Sequence, residues 1–345
     1  MADRVEKVLL AEDHNSLDLT PHHLRVVKAL SKRSCRAHCR AHVVVEALAE
    51  ALNLDALLDE TIGFFYVVGH SIDPKLMKNA FDSAREFFSL TEDQKQKIAV
   101  NQSQRGWMRK GLTRLEGSAS ADIKEVFFWG REIAENDPDV LQKLPLVAPN
   151  QWPERSLPDF KKNILNYYQE VMKLGALLLE CIAHGLDQNP EIFRQKYTKP
   201  LGRGQLVYYP PISADDLACN SYSAAPHTDF GVLTILLQDS LGGLQAKHQN
   251  GEWIDLLPIE GSLICNVGDL LERWTNGRLK STTHRVLNTS GKERLSIPVF
   301  FDPNSDAWID PQDFQTFRTK RALPPVKAGE YISGKNHQNF LHYKN

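Results

Sequence analysis

Apolar residues recur with two different periods along the chain, and the change of period divides it. From Phe160 to His184, the residues Ile164, Tyr168, Val171, Leu174, Leu178 and Ile182 fall on one broad face at helical spacing, and Gly185 is placed to stop the helix. An earlier helix is predicted where Leu76, Met77, Ala80, Phe81, Ala84, Phe87 and Phe88 follow Asp73-Pro74, a cap and a first-turn proline. Thr91 with Gln94 carries the reciprocal capping pattern of another short helix, and Asn189-Pro190 opens one more. GFFYVVGH, residues 63–70, is a short apolar run bounded by glycines and reads as a buried strand. Residues 101–125 are polar and contain glycine, which predicts a long loop, and the proline-rich stretch 145–158 reads as a connector.

Beyond Gly204 the texture becomes that of strands. QLVYYP, APHTDFGVLTILLQD, LQAKHQ, EWIDLLP, SLICNVGDLL, STTHRVL and RLSIPVFFDP are separated by turn signals, among them Gly242-Gly243, Asn250-Gly251 and Asn276-Gly277. Many short strands at this spacing predict a sandwich or barrel. The chain shows no internal repeat and no low-complexity tract.

Composition narrows the function classes. The 345 residues are 42% hydrophobic and 24% charged, with a formal net charge of −2, so no basic field argues for nucleic acid. No run of 18 apolar residues predicts a membrane span, and the N-terminus is too acidic and polar for a secretory signal. Five cysteines, few and mostly far apart, suit a reducing cytoplasmic setting better than a disulfide framework. The segment from Arg25 to Val45 is basic and contains no acid. On a helix its Cys35, His38, Cys39 and His42 would share a face, which admits a zinc site. The spacing is not a standard zinc motif, and a solvated basic helix or an irregular arm over residues 1–45 is the plainer expectation.

The candidate chemistry starts at APHTDFGVL, residues 225–233. If this run is a strand, His227 and Asp229 point to the same face. With 12 His and 43 acidic residues, about 1.5 His-x-acid pairs arise by chance, so a hydrogen-bonded pair at a strand edge explains the motif as well when it stands alone. A third residue changes the weighing. STTHRVL supplies His284 on a later strand, and two imidazoles with one carboxylate form the facial ligand set of non-haem iron(II) sites, with open positions for further ligands. Ten residues on, Arg294 and Ser296 form the only Arg-x-Ser of the chain, a guanidinium fork beside a hydroxyl. Arg294 lies between apolar runs, so it is expected on a buried strand and in need of an anion. Tyr209 offers a phenol from a neighbouring strand. If it faces inward, so do Val207 and Gln205, and Tyr208 faces outward.

His227-x-Asp229, His284 and Arg294-x-Ser296, in this order, resemble the iron(II)- and 2-oxoglutarate-dependent dioxygenases of the isopenicillin N synthase type. GFFYVVGH is similar to the strand before that family's first long helix, and the stretch from Gly242 to Leu287 is similar to its catalytic core. The likeness covers about residues 60–335. It implies a mostly β fold with flanking helices around a double-stranded β-helix, or jelly-roll, core. Residues 46–150 would form an N-terminal helix-and-strand region, 158–198 support helices, 200–305 the catalytic core and 306–345 a C-terminal segment. It implies Fe(II) held by His227, Asp229 and His284, and the 5-carboxylate of 2-oxoglutarate held by Arg294, Ser296 and Tyr209. The implied reaction uses O2 to hydroxylate, desaturate or cyclise a small organic molecule, such as a secondary metabolite, a nucleobase or another heterocycle, with succinate and CO2 as co-products.

Two other readings stand beside this one: an oxidase that takes all its electrons from its substrate without 2-oxoglutarate, as isopenicillin N synthase does, and a binding protein with a vestigial iron site. Gln205, Val207, Leu233 and Phe300 are expected as pocket walls. The stretch 101–130, with Trp107, Arg109, Phe127 and Trp129, and the tail from Gly329 are candidates for a lid. One departure from the family pattern is visible. The place of the usual opening strand, just ahead of the first helix, holds SKRSCRAHCRAHVVV.

Overall fold

The fold was obtained as a computed structural model that describes residues 25–28, 63–114, 121–212, 222–314, 323–340 and 343. In chain order, strand β1 (Arg25–Lys28) precedes β2 (Phe64–Val68), helices α1 (Pro74–Phe88) and α2 (Glu92–Gln96), strands β3 (Gly106–Met108) and β4 (Glu125–Trp129), and helices α3 (Pro138–Leu141), α4 (Phe160–Gly185) and α5 (Glu191–Arg194). The strand-rich half runs through β5 (Arg203–Tyr209), β6 (Ala224–His227), β7 (Leu233–Gln238), β8 (Leu244–Lys247), β9 (Trp253–Asp255) and β10 (Leu263–Val267). Helix α6 (Asp269–Trp274), β11 (His284–Val286) and β12 (Arg294–Phe301) follow, then β13 (Trp308–Ile309), β14 (Val326–Lys327) and helix α7 (Ala328–Asn339).

Two sheets carry the architecture. The larger has the order β1-β2-β10-β7-β12-β5-β4-β3, and the smaller the order β6-β11-β8-β9. Among the described residues all strand pairings in these sheets are antiparallel except β1 with β2. Alternation along the strands splits the apolar residues into two cores. Phe65, Val67, Phe127, Trp129, Leu206, Ile235, Leu237, Ile297 and Val299 pack under the helices, whereas Phe64, Tyr66, Val126, Phe128, Val207, Tyr209, Ala246, Ile264 and Val286 fill the space between the sheets. This is the expected jelly-roll core with helices outside, and neither sheet closes on itself.

The helices form for the reasons the pattern gave. The Asp73 carboxylate accepts the Lys75 N–H at 2.8 Å and caps α1, and Thr91 and Gln94 make the reciprocal cap of α2. Helix α4 lies across β12 with Gly175 over the Phe301 ring. A Cβ at Gly175 would come within 2.6 Å of that ring, so the close approach of helix to sheet depends on the missing side chain.

Four expectations need correction. Residues 101–125 are not one loop, because Gly106–Met108 add an edge strand beside β4, with the Trp107 indole donating to Glu125 at 2.9 Å. Gly185 is the last residue of α4, and Leu186 follows as the cap. Arg25–Lys28 form a strand paired in parallel with Phe65–Val68, so the basic segment begins in the sheet and not in a helix. The rest of that segment, Cys35, His38, Cys39 and His42 included, lies outside the described residues. Finally, APHTDFGVLTILLQD is two strands: β6 belongs to the smaller sheet and β7 to the larger, and residues 228–232 carry the chain from one to the other. Among the described residues no helix is long and apolar enough to cross a membrane.

Candidate active site

The crossing between the sheets is where the chemistry gathers. His227 ends β6 and His284 begins β11, and these two strands pair with His227 directly opposite His284. Cross-strand neighbours of this kind bring side chains together, and the two imidazoles stand 4.3 Å apart between ring centres. Asp229 lies two residues past His227, beyond the end of the strand, so strand alternation does not aim its carboxylate. Backbone pinning does. The Asp229 carbonyl accepts the Asp269 N–H at 2.7 Å, the Gly231 carbonyl accepts Leu270 N–H at 2.9 Å, and Gly268 N–H donates to Val232 at 3.0 Å. The crossing is thereby tied to the start of α6. A Cβ on Gly268 would collide with the Gly231 carbonyl and touch that of Asp229, so only glycine lets α6 approach this closely.

The result is three potential ligand atoms that lie within 4.8 Å of one another, with Asp229 Oδ1 and His284 Nε2 at 3.8 Å. Their remaining atoms are all engaged. His227 Nδ1 donates to the Ala225 carbonyl at 2.7 Å and His284 Nδ1 to the Thr282 carbonyl at 3.1 Å. A carbonyl can only accept, so each Nδ1 carries a proton, and in the neutral ring this tautomer leaves the lone pair on Nε2, the nitrogen a metal would use. Asp229 Oδ2 accepts from Thr234 Oγ1 at 2.6 Å and from Asn266 Nδ2 at 2.8 Å, which leaves Oδ1 to face the histidines.

Protonation follows the same arrangement. Burial, with His284 alongside, pushes the His227 imidazole down to about 3, so it is neutral at physiological pH. Burial works against a charged Asp229, but His284, His227 and the Asn266 and Thr234 hydrogen bonds outweigh it and hold the carboxyl below its ordinary range. Two imidazoles and one carboxylate, each with one donor atom turned toward the others and a locked orientation, fit a divalent first-row metal ion.

The cavity beside this triad continues to Tyr209, Arg294 and Ser296. Arg294 sits directly opposite Tyr209 across β12 and β5, and its guanidinium lies 4.9 Å from the Tyr209 ring centre. It is 1% exposed. Its Nε donates to the Gly242 carbonyl at 2.6 Å and one Nη to Gln238 Oε1 at 3.0 Å, while the other, Nη1, is buried with no partner among the described residues. A buried, always-charged group with a spare donor at the wall of a cavity fits an anionic ligand.

The other candidate wall residues divide by strand parity. Gln205, Val207 and Phe300 line the cavity as expected, and Tyr208 points away, where it stacks on Phe88. Leu233 does not line it. It lies on the helix-facing side of β7 with Ile235 and Leu237, and Thr234 and Leu236 take the inward places. Trp107, Phe127 and Trp129 likewise belong to the core under the helices. From the tail, Asn336 and Phe340 do reach the site's far side.

The sequence reading missed Thr234, Asn266 and Lys124. The signal was present: Thr in VLTILL and Asn in LICNV are polar residues on otherwise apolar strands, and a buried polar group needs a partner. Lys124 shares parity with Val126 and Phe128 on β4, which places it at the cavity with an ion pair to Asp122 at 2.8 Å. Burial works against its charge, but Asp122, with Tyr209 and Asp229, raises its pKa above the ordinary lysine value.

Comparison with known proteins agrees with the geometry. Residues 191–303 match the family model of the 2OG-Fe(II) oxygenase superfamily, and residues 39–155 match that of the non-haem dioxygenase in morphine synthesis N-terminal region. A probable iron/ascorbate oxidoreductase of Dictyostelium discoideum is 38% identical over 272 residues, 72% of this chain and 74% of the relative. The 2-oxoglutarate-dependent dioxygenase citB of Monascus ruber is 35% identical over 257 residues, 73% of this chain and 78% of the relative. Among solved structures, a full-length Neurospora crassa protein crystallised in complex with alpha-KG superposes with a TM-score of 0.75 at 28% identity, over 90% of this chain and 95% of that one. The same Neurospora crassa protein has been solved with alpha-KG and thymine, with a TM-score of 0.74 at 27% identity, over 90% of this chain and 96% of that one. The chain belongs to the 2-oxoglutarate- and Fe(II)-dependent oxygenase superfamily.

Proposed function

We propose that His227, Asp229 and His284 hold the Fe(II) of this oxygenase, and that Arg294, Ser296 and Tyr209 receive the 5-carboxylate of its co-substrate, 2-oxoglutarate. The chain is an oxidoreductase that uses Fe(II), 2-oxoglutarate and O2. Bound together, these supply the oxidising power to attack a C–H bond, with succinate and CO2 as co-products. The protein's own part is placement. Ala225 and Thr282 fix the tautomers of the two histidines, and Thr234 and Asn266 turn one oxygen of Asp229 toward them. Arg294 carries the charge that matches the far end of the keto-diacid, and Gln238 and Gly242 keep its fork from rotating. The apolar walls exclude water from the space between.

The observation that carries this reading is the orphaned Nη1 of Arg294 in the same cavity as three convergent ligand atoms. Preference for 2-oxoglutarate dependence over an oxidase that needs no co-substrate is supported by the relatives named as 2-oxoglutarate-dependent and by the alpha-KG complex of the Neurospora crassa protein, since such an oxidase could meet Arg294 with a carboxylate of its own substrate. The substrate is a small organic molecule, and the reaction we favour is hydroxylation. The thymine complex of the Neurospora crassa protein supports a compact polar ring as one candidate. The test is direct. Purified protein with Fe(II) and 2-oxoglutarate releases succinate, and Asp229→Ala loses both the metal and the turnover. Succinate release by a metal-depleted Asp229→Ala protein at the wild-type rate refutes the assignment.

A further inference from the structure

A second chamber of about 70 Å³ opens beside His227 and Asp229, and its lining includes Asn336 and Phe340 from the C-terminal segment that carries α7. It shares His227, Asp229, Gln205, Phe300 and Lys124 with the chamber around Arg294, but not Arg294, Tyr209 or Ser296. Among the described residues two cations line it, and their situations differ. Arg203 is bound by Asp302 at 2.9 Å and by Gln104 at 3.3 Å. Lys124 has Asp122 at 2.8 Å, which occupies one of its three N–H donors. The Lys124 side chain is only 12% exposed, so the remaining donors have the chamber before them and little water.

Its position is built. Asp122 is fully buried in its side chain and accepts the Ala225 N–H at 3.0 Å, two residues before His227 on β6. The strand that presents a triad histidine therefore also fixes the carboxylate that holds the ammonium. Asp122 itself does not line the chamber, so the face of the pair turned toward a substrate is the cation. The rings of Phe230, Phe300 and Phe340 line the same chamber.

Resting on the metal-site reading above, we propose that Lys124 is the specificity-determining residue of this oxygenase: it donates hydrogen bonds to a carbonyl or carboxylate oxygen of the substrate, whose apolar part packs on Phe230, Phe300 and Phe340. Lys124 thus selects substrates that carry an acceptor and rejects those that bring a cation to the same place, since like charges in a half-dry chamber repel. Its role is separate from that of Arg294, which serves the co-substrate.

The test uses full-length protein loaded with Mn(II) and 2-oxoglutarate, which binds without turning over, and three probes on one frame: phenylacetate, phenylacetamide and 2-phenylethylamine. Paramagnetic broadening of each probe's proton NMR signals reads its binding near the metal. The wild type is expected to bind the acid and the amide about tenfold more tightly than the amine, the size of one charge-assisted hydrogen bond. Lys124→Met is expected to lose that preference while keeping Mn(II) and 2-oxoglutarate affinities within about twofold of the wild type. Because Lys124→Met leaves Asp122 buried and unpaired, the double variant Asp122→Asn/Lys124→Met, which removes both charges, is measured beside it. Equal binding of all three probes by the wild type, no binding of any, or a preference that survives in both variants overturns the inference. So does a loss of 2-oxoglutarate in place of the probes. A wild type that takes up neither Mn(II) nor 2-oxoglutarate instead refutes the metal-site reading and this inference with it.

Discussion

Arg294→Lys separates two jobs of one guanidinium, one visible in the fold and one proposed for the co-substrate. Its Nε and one Nη hold the Gly242 carbonyl and Gln238 Oε1, and these bonds belong to the fold. Nη1 has no protein partner among the described residues and, on the assignment proposed above, serves the co-substrate. A lysine ammonium is a point charge on a flexible stem and cannot reproduce the planar fork. It can satisfy one protein acceptor or reach the carboxylate, but not in the same geometry. Losing one hydrogen bond to a charged group costs about 1.5–3 kcal/mol, which is about 10- to 150-fold in affinity for 2-oxoglutarate. The 5-carboxylate is remote from the reacting atoms, so the loss is expected in KM for 2-oxoglutarate, with kcat at saturating 2-oxoglutarate close to that of the wild type. Leaving one of the two protein acceptors unpaired costs about 1–3 kcal/mol of stability, seen as a Tm lower by a few degrees. Succinate formation at varied 2-oxoglutarate, set beside a thermal melt, distinguishes the two. A variant with an unchanged KM for 2-oxoglutarate and a lowered Tm would show that Arg294 is purely structural and would refute the co-substrate assignment.

Three further outcomes are expected. Asn266→Ala removes one of the two hydrogen bonds that turn Asp229, so metal affinity should fall about 10- to 100-fold by competitive chelation, with little change in overall secondary structure by circular dichroism; unchanged affinity would show that Thr234 alone suffices. Burial pushes the Cys181 thiol up to about 12 and the Cys265 thiol higher still, so neither should react with iodoacetamide at pH 8 until the protein unfolds, as peptide mass spectrometry can establish. In metal-free protein, His227 has its folded-state pKa depressed from 6.5 to about 3. The unfolded chain therefore takes up this proton first as the pH falls, so the stability that the neutral imidazole contributes is complete above pH 6.5 and drains away between there and pH 3. Melting temperature should drop on acidification from pH 7 to 5, and less steeply in His227→Gln; a melting temperature that holds or rises would contradict the linkage.

What could be read in the sequence followed from how local each determinant is. The caps at Asp73 and Thr91, the face of α4 and the inward parity of Gln205, Val207 and Tyr209 depend on residues a few places apart, and each was legible. The pairing of His227 with His284 was not. It is a register between strands 57 residues apart in the chain, and nothing in either strand states which partner it will face. The conclusion that His227 and Asp229 share a face held for a reason other than the one that suggested it. Alternation would have required a continuous strand through residue 229, whereas the chain leaves β6 at His227 and changes sheets. The carboxylate arrives because the N-terminal backbone of α6 seizes the Asp229 and Gly231 carbonyls, and because Thr234 and Asn266, from β7 and β10, take one of its oxygens. A strand would have held Asp229 in the ladder of the smaller sheet, with no reach to β7 or β10. Leaving the strand lets one carboxylate answer to both sheets at once, which is how a side chain between two layers becomes rigid enough to present a single oxygen.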